Sequence, residues 1–199
     1  MTNAEALNLP TEFVEWRLPS RRKVAVTCLI LTESAMFTIF VVAYLFYIGK
    51  SLSGPLANDV LHAPIALTIC LLASSLTIHF AGGALRAARM NSFVLWWTIT
   101  IILGAVFLGG TAREWHHLIY DAGLTIRTNL FGTSYYSLVG LHAFHVTAGL
   151  LGLSTVLLFA LSGQVRPEHS ERVDVLSLYW HFVDVVWVVV FTVVYVIGR

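Results

Sequence analysis

The stretch Tyr179-Trp180-His181-Phe182-Val183-Asp184-Val185-Val186-Trp187 sets an imidazole and a carboxylate into an otherwise apolar run near the C-terminus. His181 and Asp184 stand three residues apart, so a helix presents both on one face. Glu33, His79, His142 and His145 also fall inside apolar runs. Ionisable side chains in hydrocarbon are expensive and persist where they face a packed interior and find polar partners, which makes each a functional-site candidate.

The chemistry open to these groups is limited. A carboxyl at such depth needs a cation or hydrogen bonds; for Glu33, His145 or His142 could supply the partner, as could hydroxyls such as Thr32, Ser34 or those of a neighbouring helix. His142 and His145, again three apart, project to one side of a helix. Together they suit a metal, an axial haem ligand (with His145 and His181 on facing helices), or polar contacts that fix packing. No complete ligand set at a recognised spacing accompanies them, which favours hydrogen bonding over a metal site. Asp184 is placed to orient His181 or to accept from Trp180, Trp187 or Tyr179, and a network of this kind specifies one helix arrangement when satisfied. Glu33, His145 and Asp184 in series would also suit a proton relay in a small channel or transporter. The run Arg113-Glu114-Trp115-His116-His117 follows an apolar stretch, where Trp115 and Tyr120 suit the headgroup level and the two histidines meet water. The chain has no phosphate loop, nucleophile elbow, His-Glu-x-x-His or Cys-x-x-Cys motif. Cys28 and Cys70 lie in apolar runs and are expected to be small buried residues.

The elements that must position these groups are membrane helices. Of 199 residues, 57% are hydrophobic and only 12% charged, far from the balance of a soluble domain. A hydrocarbon core of roughly 30 Å needs about 20 helical residues. Five stretches qualify: Val24 to Ile48, Ala63 to Gly83, Phe93 to Ala112, Ser134 to Ser162 and Val175 to Gly198. The expected fold is an all-α bundle of five transmembrane helices, residues 24–199, behind a leader of residues 1–23. Short polar connections join antiparallel neighbours, and Arg113 to Thr133 reads as a longer loop. Gly104, Gly109 and Gly110, with Gly140, Gly149 and Gly152, allow close helix approach. The net charge of +1 gives no reason to expect a nucleic-acid partner. Eight Lys and Arg fall in the leader and the second and fourth loops, against four on the other side. The positive-inside rule therefore puts the N-terminus in the cytoplasm and the C-terminus on the outer side. The leader lacks a basic segment followed by a short apolar run and a small-residue cleavage site, so no cleaved signal peptide is expected.

Four stretches, in order, resemble subunit III of the haem-copper respiratory oxidases. They are Leu31-Thr32-Glu33-Ser34-Ala35-Met36-Phe37, Glu114-Trp115-His116-His117-Leu118-Ile119, the run from Gly140 through His142 and His145 to Gly149, and Tyr179 to Trp187. The five-span length is similar to the short bacterial form that lacks the first two helices of mitochondrial-type versions. The resemblance implies a multi-pass subunit of the bacterial cytoplasmic membrane with no haem, copper or other metal of its own, those groups residing in partner subunits. It implies packing against catalytic subunit I in a complex that also contains subunit II, and structural phospholipids in a cleft between the first helices and the rest. Glu33 matches the family's intramembrane carboxylate that reacts with a hydrophobic carbodiimide. Such subunits are thought to preserve the oxidase during turnover and to support proton uptake. Ala143-Phe144 departs from the usual pattern between the two histidines. Arg113 precedes the expected Glu114, where it could pair with a carboxylate or a lipid phosphate. Resemblance extends to subunit III of quinol oxidases and to proteins that accompany nitric oxide reductases; Glu33 leans toward the cytochrome c type.

Overall fold

The computed structural model describes residues 20–51, 54–61 and 63–198. Most of the leader, His62 and Arg199 lie outside the described residues. Helix α1 covers Arg21–Tyr47, a single turn α2 Ala57–Val60, α3 Ile65–Arg86, α4 Met90–Tyr120, α5 Leu130–Leu161 and α6 Ser170–Phe191. A 3-10 turn, Pro167–His169, leads into α6, and the π-helical segment Thr192–Ile197 extends it. Five of these helices, with the last counted through its flanking turns, are long and apolar enough to cross a membrane. No strand occurs among the described residues. Only helices and closed barrels satisfy every backbone N–H and C=O without water, so long apolar runs become helices.

The helices outrun the apolar stretches. Helix α4 has 31 residues, about 46 Å at the usual rise of about 1.5 Å per residue. Arg113 to Tyr120 thus continue α4 instead of opening the following loop, which is confined to residues 121–129. Polar side chains beyond the hydrocarbon do not break the i to i−4 ladder, so helix ends are set by caps more than by hydropathy. At the start of α5 the Asn129 carboxamide oxygen accepts from Gly132 N at 2.8 Å.

Helix α3 packs along α4, α5 contacts α4, α6 and α1, and α6 lies against α3 and α1. The interior is built around three fully buried indoles, Trp97, Trp180 and Trp187. Trp180 occupies a seat left by two glycines: a Cβ on Gly104 would lie 2.9 Å from its ring, and one on Gly149 would lie 2.7 Å from it. Its Nε1 donates to Ser74 Oγ at 2.8 Å, so one side chain of α6 binds α3, α4 and α5 together. Trp97 Nε1 donates to the Leu153 carbonyl at 2.9 Å, joining α4 to α5. Gly110 and Gly152 also admit neighbours closely, the first Leu67 and the second Leu176, whereas Gly140 makes ordinary contact with Trp115 and Gly109 faces open space. Cys28, expected inside, is exposed on α1, and Cys70 is half-buried. In a bilayer an apolar residue is as comfortable facing lipid as facing a helix, so hydrophobicity does not distinguish the two sites.

Candidate functional site

The interior ionisable groups other than His142 separate into three arrangements. The first joins α1 to α5. Glu33 Oε2 lies 3.1 Å from His145 Nε2, with their side chains 21% and 6% exposed. His145 Nδ1 lies 2.7 Å from the Leu141 carbonyl one turn back. A carbonyl only accepts, so Nδ1 carries its hydrogen and Nε2 is the nitrogen that meets Glu33. Either a protonated Glu33 donates to Nε2 or Nε2 donates to the carboxylate; in both forms the contact holds one shared proton. Phe37 and Phe144 flank the imidazole, with ring centroids 5.0 and 5.6 Å away. Thr32 and Ser34 donate to their own helix, to the carbonyls of Cys28 and Ile30. They leave Glu33 to His145.

The second arrangement joins α6 to α3. Ser75 Oγ donates to Asp184 Oδ2 and lies 3.0 Å from His181 Nδ1. Asp184 is 2% exposed, and its Oδ1 has no partner among the described residues. Trp187 Nε1 donates to Thr68 Oγ1 at 3.1 Å. With Trp180 on Ser74, the seam between α3 and α6 is stitched by hydroxyls of α3 that accept from indoles or meet the His181 and Asp184 pair. His145 and His181 therefore address different helices, α1 and α3. Among the described residues no group of three or more His, Cys, Asp or Glu is placed to hold a metal ion.

His142 does not join either arrangement. It is fully buried, with both ring nitrogens unpartnered among the described residues. Trp187 stacks against it with centroids 4.9 Å apart, and Phe107 meets it edge-on at 5.8 Å. Three helical residues turn through about 300°, which leaves side chains about 60° apart. That offset sends His145 to α1 and His142 into the space between α4 and α6, so the expectation that both serve one site is corrected.

The third arrangement lies at the far end of α4. Glu114 Oε1 accepts from Tyr195 OH at 3.2 Å, and the Tyr195 and Tyr135 hydroxyls are 3.4 Å apart. Trp115 meets Tyr136 at 5.5 Å in an edge contact, and Tyr136 OH donates to the Leu124 carbonyl at 2.8 Å. The π-helical segment that carries Tyr195 closes with a five-residue bond from Gly198 N to the Val193 carbonyl; such a bulge re-aims the side chains it contains. His116 stacks on Tyr120 at 4.5 Å. His117 Nε2 lies 3.8 Å from Asp121 Oδ2, both exposed. Arg113 is exposed and forms no ion pair with a described residue. Sequence reasoning missed Ser74, Ser75, Thr68, Tyr135 and Tyr195. For Thr68, Ser74 and Ser75 the available signal was the cluster of hydroxyls in the α3 apolar run, each of which needs a partner in hydrocarbon.

Residues 22–199 match the family described as cytochrome c oxidase subunit III. The chain belongs to the haem-copper oxidase subunit III family. It is 36% identical to a cytochrome c oxidase subunit 3 of Alkalihalophilus pseudofirmus over 83% of this chain and 82% of that protein. It is similarly related to a cytochrome bo(3) ubiquinol oxidase subunit 3 of Pseudomonas aeruginosa, with 33% identity over 85% of this chain and 81% of the relative. A quinol oxidase subunit 3 of Bacillus subtilis is 30% identical over 83% of this chain and 82% of the relative. Cytochrome c and quinol types thus stand close together among the relatives of this subunit III. Membership makes the chain a multi-pass bacterial membrane component of a hetero-oligomeric oxidase, and its three polar arrangements are features of that subunit.

Proposed function

We propose that this subunit III serves a proton-pumping oxidase of the cytochrome c type that reduces oxygen to water in the bacterial cytoplasmic membrane. It packs against catalytic subunit I in a complex with subunit II, binds no haem, copper or other metal itself, and retains phospholipids that sustain activity and proton uptake. Its N-terminus faces the cytoplasm and its C-terminus the outer side, as the distribution of Lys and Arg indicates.

The observation that carries this reading is the use made of the interior polar groups. Glu33, His145, His181 and Asp184 are engaged in contacts between helices, which is how a fixed flank to a neighbouring redox machine would be built. A scaffold of this kind restrains its partner and shapes the approach of water, oxygen and lipid without chemistry of its own. The test is deletion of the subunit from the oxidase. Activity that starts normally but decays over fewer turnovers, with slower proton uptake, is expected; an unchanged lifetime and uptake rate refutes the scaffold role.

The quinol-oxidase reading is the competing one, supported by the relatives of that type. Oxidation of reduced cytochrome c, and not of a quinol, by the complex that copurifies with this chain in mild detergent is the expected result. A quinol-specific complex would reassign the electron donor while leaving the scaffold role in place.

A further inference from the structure

The end of the bundle where α3 turns into α4 carries more positive charge than its ion pairs use. Arg22 lies 3.8 Å from Glu171, and Arg86 donates to Asp174 at 2.8 Å. Arg89, at the opening of α4, has no carboxylate partner among the described residues. It borders a pocket of about 320 Å³ that is also lined by His79, Phe80, Gly83, Ser92 and Trp96.

The lining divides by chemistry. Arg89, the Ser92 hydroxyl and the His79 ring are its polar groups; Phe80 and Trp96, with ring centroids 5.3 Å apart, are its aromatic ones. No described protein group accepts from the Arg89 guanidinium or bonds the Ser92 hydroxyl. Gly83 leaves open space in the lining, since a Cβ there would meet nothing within 4 Å. Exposed apolar side chains neighbour these rings on both helices: Phe80 is 50% exposed, Leu76, one turn back on α3, 63%, and Leu95, next to Trp96 on α4, 58%.

We propose that this pocket binds the headgroup of an acidic phospholipid. Arg89 and Ser92 donate to its phosphate, while Phe80 and Trp96 flank the glycerol and lead the acyl chains onto the Leu76 and Leu95 surface. A guanidinium matches the planar oxygen pair of a phosphate, and basic pockets between transmembrane helices select acidic headgroups. Tryptophan belongs at the depth where headgroup meets hydrocarbon. A zwitterionic lipid carries an ammonium that competes with Arg89 for its own phosphate, so the charge pattern favours an acidic lipid. The site depends on the chain spanning a membrane and not on which electron donor the oxidase uses.

The test uses the intact oxidase with wild-type chain, Arg89→Gln or Ser92→Ala. Each is reconstituted in nanodiscs of equal phosphatidylglycerol and phosphatidylcholine, moved to a delipidating detergent, and read by native mass spectrometry. Wild type is expected to retain one phosphatidylglycerol more than Arg89→Gln, with Ser92→Ala losing part of the same occupancy and phosphatidylcholine counts equal throughout. Arg89 is exposed, so its replacement leaves the interior packing unchanged, and the haem spectrum of the complex reports assembly. Equal phosphatidylglycerol retention in wild type and both variants overturns the proposal. Release of that lipid from wild type by millimolar inorganic phosphate overturns it too, because the pocket would then be a site for soluble anions.

Discussion

Glu33 and His145 form a contact in which proton position and hydrogen-bond geometry can be tested apart. Glutamine keeps a group able to donate to or accept from His145 Nε2, whereas alanine leaves that nitrogen unpaired, so Glu33→Gln and Glu33→Ala are expected to differ. Hydrogen bonds between helices within a membrane contribute about 1 kcal/mol. Glu33→Ala should lower the detergent-unfolding midpoint of the subunit by about that much, with Glu33→Gln close to wild type. Equal losses in the two variants would show that the shared proton, and not the hydrogen bond, stabilises the pair. His142 makes the opposite case. Its two ring nitrogens lack partners among the described residues, and removing an unsatisfied polar group while keeping an aromatic ring between Phe107 and Trp187 relieves a desolvation penalty. His142→Phe is therefore expected to be neutral or stabilising in the same measurement, and His145→Phe destabilising by about 1 kcal/mol. A larger loss from His142→Phe than from His145→Phe would contradict this assignment of roles. The two residues look equivalent in the sequence, three apart in one motif; only the neighbours of α5 separate them.

At the scale of elements, the decisive fit is the Trp180 ring between α4 and α5. Overpacking a close-packed interior by one methyl costs about 1–3 kcal/mol, so Gly104→Ala and Gly149→Ala should each weaken the subunit by that order. Gly109→Ala, facing open space, should leave it unchanged or slightly more stable through better helix propensity. Detergent-unfolding midpoints of the three variants check the ranking, and a Gly109→Ala variant as damaged as Gly149→Ala would contradict the open space at Gly109. The helices themselves were legible, because apolar runs of membrane length admit no other backbone solution. Their ends were not, since α4 continues through Arg113 and Glu114 to Tyr120 on hydrogen bonds that hydropathy does not see. Nor was the difference between Gly109 and Gly149, which sit in similar apolar surroundings and differ only in which helix passes by. The ionisable residues that matter were visible as exceptions to an apolar pattern. Their partners, Ser75 for His181 and Asp184 and Tyr195 for Glu114, depend on helix pairing and on the π-helical turn after α6.

For the molecule as a whole, anchorage is uneven. Of α1 only Phe37 and Tyr44 are buried, whereas α6 buries seven residues, among them Trp180, Asp184 and Trp187. Helix α1 is held to α5 by Glu33 on His145 and to the start of α6 by Arg22 near Glu171 at 3.8 Å. The second contact is exposed, and such pairs contribute little. Without a hydrophobic drive between helices in lipid, a helix with so few packed side chains depends on its polar contacts and on what covers its outer face. Local opening should accordingly begin at α1, because regions with few buried contacts occupy the low end of the stability range. Hydrogen exchange of the purified oxidase during stepwise delipidation is expected to expose amides of residues 25–45 before those of α3 to α6, and Glu33→Ala should bring that opening to an earlier step. The same variant should shorten the active lifetime of the oxidase while leaving its initial turnover rate unchanged, since α1 carries no redox group in the proposed scaffold. Exchange that begins in α3 or α6, or immediate loss of oxygen reduction in an assembled Glu33→Ala complex, would instead place Glu33 in an obligatory proton path and α1 among the firmly held elements.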